Sequence, residues 1–145
     1  AETVAKKIKS EYVIGADTVV LLGNKIIGKP RNASHAKKML KEMSGKTIGV
    51  YTGLCVIDVK KEKLISDYEK SLVTVKEIKD KDIPEYFKLL GPYDKAGGFS
   101  IEGPGSFIFD NIKGSYFNVL GLPTAKLKEM FGKLGVDILT PPFLL

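Results

Sequence analysis

Apolar residues are concentrated in one long β-branched run near the start of the chain, Tyr12 to Leu22, which carries a single carboxylate, Asp17, in its middle. A run this rich in valine predicts a strand that is buried on both faces at the centre of a sheet. A buried carboxylate is costly unless it is neutralised, hydrogen-bonded or bound to a cation. Asp17 is therefore either a functional residue or a structural cap for a neighbouring loop, and this stretch alone leaves both readings open.

Turn residues after this run predict a hairpin. A Gly-Asn pair closes a two-residue turn, and residues 25–28 return along the first strand. With regular pairing, Lys29 would lie opposite Thr18 and on the other face from Asp17. A bulge, or an end to the ladder at Gly28, would be needed to bring Lys29 and Asp17 to one ligand.

Helical and strand periodicities alternate along the rest of the chain. Apolar residues at helical spacing predict helices over residues 1–10, 32–44, 80–90 and 123–134. Partial alternation of apolar and polar residues predicts a second hairpin, with strands over residues 47–59 and 64–75, and a further strand over residues 106–110. Because strands and helices interleave, the class is α/β or mixed α+β, in one domain over residues 1–145.

Residues 93–105 are a glycine-rich stretch with charged residues between two apolar segments. Such a stretch predicts a backbone that passes close to a neighbour or ligand. Within it, Lys95 could meet an anion and Glu102 could accept hydrogen bonds. A set of ordinary turns is the alternative interpretation.

Composition and charge narrow the class of protein. Hydrophobic residues make up 43% of the 145 residues, enough for a real core, and Cys55 is the only cysteine. No apolar segment approaches the ~20 residues that span a bilayer, and no signal peptide is recognisable, so we expect a soluble, cytoplasmic protein. The net charge of +6 is spread along the chain, which favours a solvated surface and phosphate-bearing small molecules over nucleic acid.

Six groups of residues resemble the Maf family in their order and spacing. They are Gly15 to Val20, Gly28 to Pro30, Ser44 to Thr47, Tyr51 to Gly53, Asp94 to Gly97, and Gly114 to Tyr116 with Asn118 to Pro123. The resemblance implies an elongated mixed β-sheet flanked by helices, related in fold to the inosine triphosphate pyrophosphatases, with a cleft between two lobes. It also implies hydrolysis of a canonical or modified nucleoside triphosphate to monophosphate and pyrophosphate with Mg²⁺ or Mn²⁺, a homodimer, and a role in house-cleaning or septum formation during cell division.

The same resemblance implies roles for five residues. Asp17 would hold the metal ion or activate the attacking water. Lys29 and Lys95 would neutralise phosphate oxygens in the substrate cleft. Thr52 and Glu102 would contact the nucleotide.

Three departures from the family pattern qualify these expectations. The family begins with a strand and a Ser-x-Ser-Pro-Arg-Arg loop that are not found before Ala1, and Ile48 stands where a histidine is often found. Glu102 stands where many members carry Gln, which leans slightly towards methylated guanine nucleotides, whereas Asp94-Lys95 belongs to the pattern of thymidine and uridine nucleotides. The alternative to an enzyme is a catalytically inactive, truncated Maf-like module that binds nucleotides or regulates a partner.

Overall fold

The computed structural model describes residues 1–7, 11–90 and 96–139. In chain order the helices are α1 (Glu2–Ala5), α2 (Ala33–Met43), α3 (Ile83–Leu90), α4 (Tyr116–Val119) and α5 (Thr124–Lys133), with a 3-10 helix over Gly103–Phe107. The strands are β1 (Tyr12–Leu22), β2 (Lys25–Ile27), β3 (Thr47–Asp58), β4 (Lys63–Val75) and β5 (Phe109–Lys113). The predicted α/β class is confirmed.

The described strands form one five-stranded sheet in the order β2-β1-β3-β4-β5, and every pairing in it is antiparallel. The predicted second hairpin is confirmed, since β3 and β4 pair along their whole lengths, from Thr47 opposite Thr74 to Asp58 opposite Lys63. The turn of this hairpin is fixed by Asp58, whose Oδ1 accepts a hydrogen bond from the Lys61 backbone N–H at 3.0 Å. This hydrogen bond, more than the nearby Lys61 ammonium group, lowers the pKa of the Asp58 carboxyl.

The ladder of the first hairpin ends before Gly28, as a ligand shared by Asp17 and Lys29 would require. β1 pairs with β2 only from Leu22 opposite Lys25 to Val20 opposite Ile27. Gly28 lies beyond the ladder, so Lys29 is not held opposite Thr18. Across the other edge of β1, Thr18 pairs with Thr52 of β3.

Burial of β1 on both faces, as its sequence predicts, is wrong for the described part of the chain. Asp17 is exposed, as are Ile14 (46%) and Val19 (37%). Among the described residues β1 has β3 along one edge, but along its other edge β2 covers only the last three residues. A β-branched run packs well in a strand of either kind, so its composition does not distinguish a covered strand from a partly open one.

One face of the sheet carries the core. Successive residues on that face of β3 are all buried, and they are Ile48, Val50, Thr52, Leu54 and Val56. At one end of this face α2 packs its buried stripe against the sheet, as its periodicity predicts. The buried apolar residues at this end are called the α2 cluster, and they are Val20, Ile27, Ala36, Met39, Leu40, Met43, Ile48, Val50, Val73, Val75, Ile78, Ile83, Phe99 and Ile108. At the other end α5 builds the α5 cluster: Leu54, Val56, Leu127, Met130, Phe131 and Leu134. Thr52 is the polar residue of β3 between the two clusters.

Several element boundaries differ by a few residues from the sequence predictions, and α3, for example, begins at Ile83 and not at residue 80. The first helix covers Glu2–Ala5, and residues 8–10 of the predicted helix lie outside the described residues. The last strand begins at Phe109 and not at residue 106, because the 3-10 helix occupies the preceding residues. Pro104 and the neighbouring glycines favour such a turn over an extended strand.

Candidate active site

A cavity of about 390 Å³ lies on the buried face of the sheet, between the α2 cluster and the segment 119–121 that leads towards α5. Its apolar walls include Val20, Val50 and Phe99, while Asp17, Thr18 and Lys29 are among its polar lining. Ligand pockets typically measure ~300–1,000 Å³ and combine apolar walls with a few polar groups. The cavity therefore has the size and character of a small-molecule site.

Two of the predicted site residues, Asp17 and Lys29, border this cavity together. Asp17 comes from the part of β1 that β2 does not cover, and Lys29 follows the end of β2. Both side chains are exposed, and neither makes an ion pair or hydrogen bond with another described residue. Alternation along β1 places the Asp17 carboxylate on the opposite face from Thr18, so it would reach a ligand at the cavity only around the edge of β1 that β2 leaves uncovered.

The donor set for a metal ion is small. In the described part of the chain no group of three or more His, Cys, Asp or Glu side chains could hold a metal ion. Asp17 is the one carboxylate among the described residues that line the cavity. Mg²⁺ is commonly held by one or two carboxylates together with phosphates of the substrate, so Asp17 fits an ion that is shared with a polyphosphate.

The glycine-rich stretch covers one side of the cavity. Gly97 has φ +80°, a conformation that L side chains rarely adopt, and a Cβ there would stand 3.4 Å from a methyl group of Val20. The Gly97 backbone N–H donates to the Gly28 carbonyl at 3.3 Å. The predicted close approach of backbone is thus found at Gly97. Lys95, which the sequence places at this site, lies outside the described residues.

Glu102 does not line this cavity. It is exposed and borders an adjacent depression of about 690 Å³, together with Asp110 and Tyr116. The depression and the cavity share Ile101 and Phe109. A ligand that filled the cavity would have to extend past these two side chains to meet Glu102.

Thr52 lies behind the cavity and not on its surface. It is fully buried (0% exposed), and its hydroxyl donates to the backbone carbonyl of Asn118 at 3.1 Å. Its oxygen also lies 2.9 Å from the hydroxyl oxygen of Thr18. Contact of Thr52 with a nucleotide, which the family resemblance implies, stays a prediction; in this structure Thr52 is not among the residues that line the cavity, whereas its partner Thr18 is.

Sequence reasoning missed Thr18 and Gly121 as cavity residues. Thr18 follows Asp17 in a strand, so alternation places its side chain on the opposite face, the same face as the cavity wall Val20. Gly121 lies against it, because a Cβ at Gly121 would stand 3.3 Å from Thr18 Oγ1. The strand register that pairs Thr18 with Thr52 would have identified Thr18 as a cavity residue, but strand register cannot be read from one sequence.

No helix in the described ranges has the length and apolar character needed to cross a membrane.

Comparison with known proteins gives a family match and close relatives. A family model described as Maf-like protein matches residues 1–134. The chain is 43% identical over 143 residues to a dTTP/UTP pyrophosphatase of Caldicellulosiruptor bescii, covering 96% of this chain and 72% of the relative. It is 44% identical over 131 residues to one of Thermoanaerobacter pseudethanolicus (90% and 69% covered) and 41% identical over 138 residues to one of Bacillus cereus (95% and 71% covered).

Proposed function

Since the chain belongs to the Maf-like protein family, we propose that it is a nucleoside triphosphate pyrophosphatase that hydrolyses a pyrimidine nucleoside triphosphate, dTTP or UTP, to the monophosphate and pyrophosphate. The observation that carries the proposal is the pair Asp17 and Lys29 at the border of one cavity of suitable size. The names of the relatives supply the substrate. These names argue against methylated guanine nucleotides, the substrates that Glu102 slightly favours in the sequence analysis.

In this reaction a water oxygen bonds to the α-phosphorus, and the bond from that phosphorus to the bridging oxygen breaks, so that pyrophosphate leaves. The water must lose a proton, and we assign that role to the carboxylate of Asp17, which borders the cavity and would reach the water around the uncovered edge of β1. Lys29 would lie against the phosphate oxygens, where a fixed positive charge stabilises the negative charge that spreads over them. Lys95 would add a second positive charge.

The requirement for a divalent metal, Mg²⁺ or Mn²⁺, is part of the proposal. Asp17 together with substrate phosphates would hold the ion, which neutralises charge on the triphosphate when it is bound. Glu102 would meet the part of the nucleotide that reaches the adjacent depression. Assembly as a homodimer, a cytoplasmic location and a link to cell division remain predictions from the family resemblance.

No observation favours an inactive binding module, because the relatives that match most of the chain are named as enzymes. The discriminating experiment measures pyrophosphate release from UTP, dTTP and 7-methyl-GTP with Mg²⁺ or Mn²⁺. We compare the unaltered chain with Asp17→Asn and with the matched control Asp80→Asn, which lies on the surface in an ion pair with Lys41. General base catalysis contributes ~10²–10⁴-fold, so we expect a loss of that order for Asp17→Asn and none for the control.

The measurement also contains its refutation. A folded chain that releases no pyrophosphate from any of the three nucleotides would overturn the proposed activity. Full activity of Asp17→Asn would leave the activity standing and remove the role given to Asp17. A preference for 7-methyl-GTP would restore the reading of Glu102 that the relatives oppose.

A further inference from the structure

A hydrogen-bond chain of three polar groups runs from the cavity into the core. Thr18 Oγ1, at the cavity, lies 2.9 Å from Thr52 Oγ1, and Thr52 Oγ1 lies 3.1 Å from the backbone carbonyl oxygen of Asn118. Thr52 and Asn118 are both 0% exposed, so no bulk water competes for these hydrogen bonds. The three groups come from β1, β3 and α4.

The buried end of this chain determines which group donates in each of its hydrogen bonds. A carbonyl oxygen has no hydrogen to give, so Thr52 must donate its hydroxyl hydrogen to Asn118. A hydroxyl has only one hydrogen, and Thr52 therefore has none left for Thr18. Thr18 must donate to Thr52. The part of the Thr18 oxygen that remains for the cavity carries lone pairs only.

Asn118 is held firmly enough to keep this direction. Its side-chain Nδ2 donates to the Val50 carbonyl at 3.1 Å and to Ser71 Oγ at 2.9 Å, which uses both of its hydrogens. Its backbone N–H donates to Ser115 Oγ at 3.2 Å, and Ser71 Oγ donates to the Ser115 carbonyl at 2.9 Å. The Asn118 carbonyl also accepts from the Gly121 backbone N–H at 3.0 Å, so it keeps a partner in either direction. Reversal of the hydrogen-bond chain would instead leave the Thr52 and Asn118 oxygens 3.1 Å apart with no hydrogen between them, and two facing lone pairs repel each other.

We infer that Thr18 is a specificity-determining residue that accepts a hydrogen bond from an O–H or N–H group on the nucleoside part of the substrate and makes no contact with the triphosphate. This inference rests on the proposed function. Phosphate oxygens at neutral pH are acceptors, as the cavity side of Thr18 is, so the two repel each other. A pyrimidine nucleoside offers two kinds of donor, the ring N–H and the sugar hydroxyls. Gly121 leaves the approach open, since a side chain there would begin 3.3 Å from Thr18 Oγ1.

The test uses equilibrium binding without turnover. We measure, by calorimetry, the affinity of the chain and of its Thr18→Val and Thr18→Ser variants for α,β-imido-UTP and for inorganic triphosphate. Valine keeps the shape of threonine and removes the acceptor, while serine keeps it. We expect Thr18→Val to bind the nucleotide about 3- to 10-fold more weakly, the range of one hydrogen bond, with unchanged affinity for inorganic triphosphate. Thr18→Ser should stay within about twofold of the unaltered chain.

The donor is identified by two further ligands, the N3-methyl and the 3′-deoxy forms of α,β-imido-UTP. The form that lacks the partner of Thr18 should bind the unaltered chain more weakly and should lose nothing more on Thr18→Val. A third variant, Thr52→Val, removes the acceptor of the Thr18 hydrogen, and its folding is checked by circular dichroism. In this variant Thr18 can donate, so we expect tighter binding of inorganic triphosphate.

Each unfavourable outcome has a separate meaning. If Thr18→Val weakens inorganic triphosphate as much as the nucleotide, Thr18 contacts phosphate and the inference is wrong. If Thr18→Val binds the imido nucleotide as the unaltered chain does, the inference fails while the proposed function stands. If the unaltered chain neither binds the imido nucleotide nor hydrolyses UTP, both fail together.

Discussion

Replacement of Asn118 by aspartate tests the buried end of the hydrogen-bond chain with almost no change in the shape of the side chain. The Asn118 side chain is fully buried and spends both Nδ2 hydrogens, on the Val50 carbonyl and on Ser71 Oγ. An aspartic acid in its place has at most one hydrogen to give. An aspartate has none, and its negative charge would face the Val50 carbonyl oxygen in a dry site.

The size of the effect follows from these contacts. Loss of one hydrogen bond costs about 1 kcal/mol even when the new carboxyl is protonated. Burial and the facing carbonyl oxygen raise the pKa of that carboxyl in the folded state above its unfolded value of about 3.9. A group whose folded pKa is raised favours the folded state fully at low pH. Its contribution is lost as the pH rises above about 4, at about 1.4 kcal/mol per pH unit until the folded pKa is reached.

The assay is urea unfolding followed by circular dichroism at pH 5, 6 and 7. We expect the free energy of unfolding of Asn118→Asp to fall by about 2.7 kcal/mol between pH 5 and pH 7 relative to the unaltered chain, if its folded pKa lies above 7. Asn24→Asp, in the exposed turn between β1 and β2, is the matched control and should run parallel to the unaltered chain. Parallel curves for Asn118→Asp as well would refute the burial and the donor role of Asn118.

Three further expectations concern other parts of the molecule. Lys29→Met should raise KM for the triphosphate about 10- to 100-fold, the range of a lost hydrogen bond to a charged group, and Lys29→Arg should recover most of it in steady-state kinetics. The Asp58 carboxyl has a lowered pKa because of the Lys61 backbone N–H, so it stabilises the fold above its ordinary pKa of 3.8 and this contribution is lost as pH falls through the lower folded value. In an acid titration followed by circular dichroism, Asp58→Asn should therefore show a shallower acid-induced loss of folded signal than the unaltered chain. Identical titration curves would contradict the stabilising role given to the Asp58 carboxylate. Leu40→Ala, at 0% exposure, should cost about 2–5 kcal/mol of unfolding free energy, against no more than about 0.5 kcal/mol for Leu89→Ala at 54% exposure; equal losses in urea unfolding would refute the assigned core.

Local chemistry was readable from the sequence wherever it decided the structure. The Gly-Asn turn fixed the first hairpin, and helical spacing identified the stripe of α2, because turns and amphipathic helices are specified within a few residues. Asp17 and Lys29 were found through motifs that lie on those elements, and the structure places both at the border of one cavity.

Long-range pairing was not readable. The degree of burial of β1 depends on which elements pack against its two faces and along its second edge, which its own residues do not encode. The hydrogen bond between Thr18 and Thr52 spans 34 residues, and the one between Thr52 and Asn118 spans 66. Each threonine by itself is an ordinary strand residue, and only the strand register brings the two into one hydrogen-bond chain.

The two apolar clusters are built on the same uninterrupted strands. β3 runs for 12 residues, about 40 Å, from the α2 cluster past Thr52 to the α5 cluster, and β4 accompanies it throughout. A paired ladder of this kind cannot act as a hinge, because bending at Thr52 would break hydrogen bonds on both of its edges. We therefore expect the two ends to move as one body, and any opening that admits substrate to come from twisting of the sheet or from segments that border the cavity, such as residues 96–101, on the faster timescale of loops.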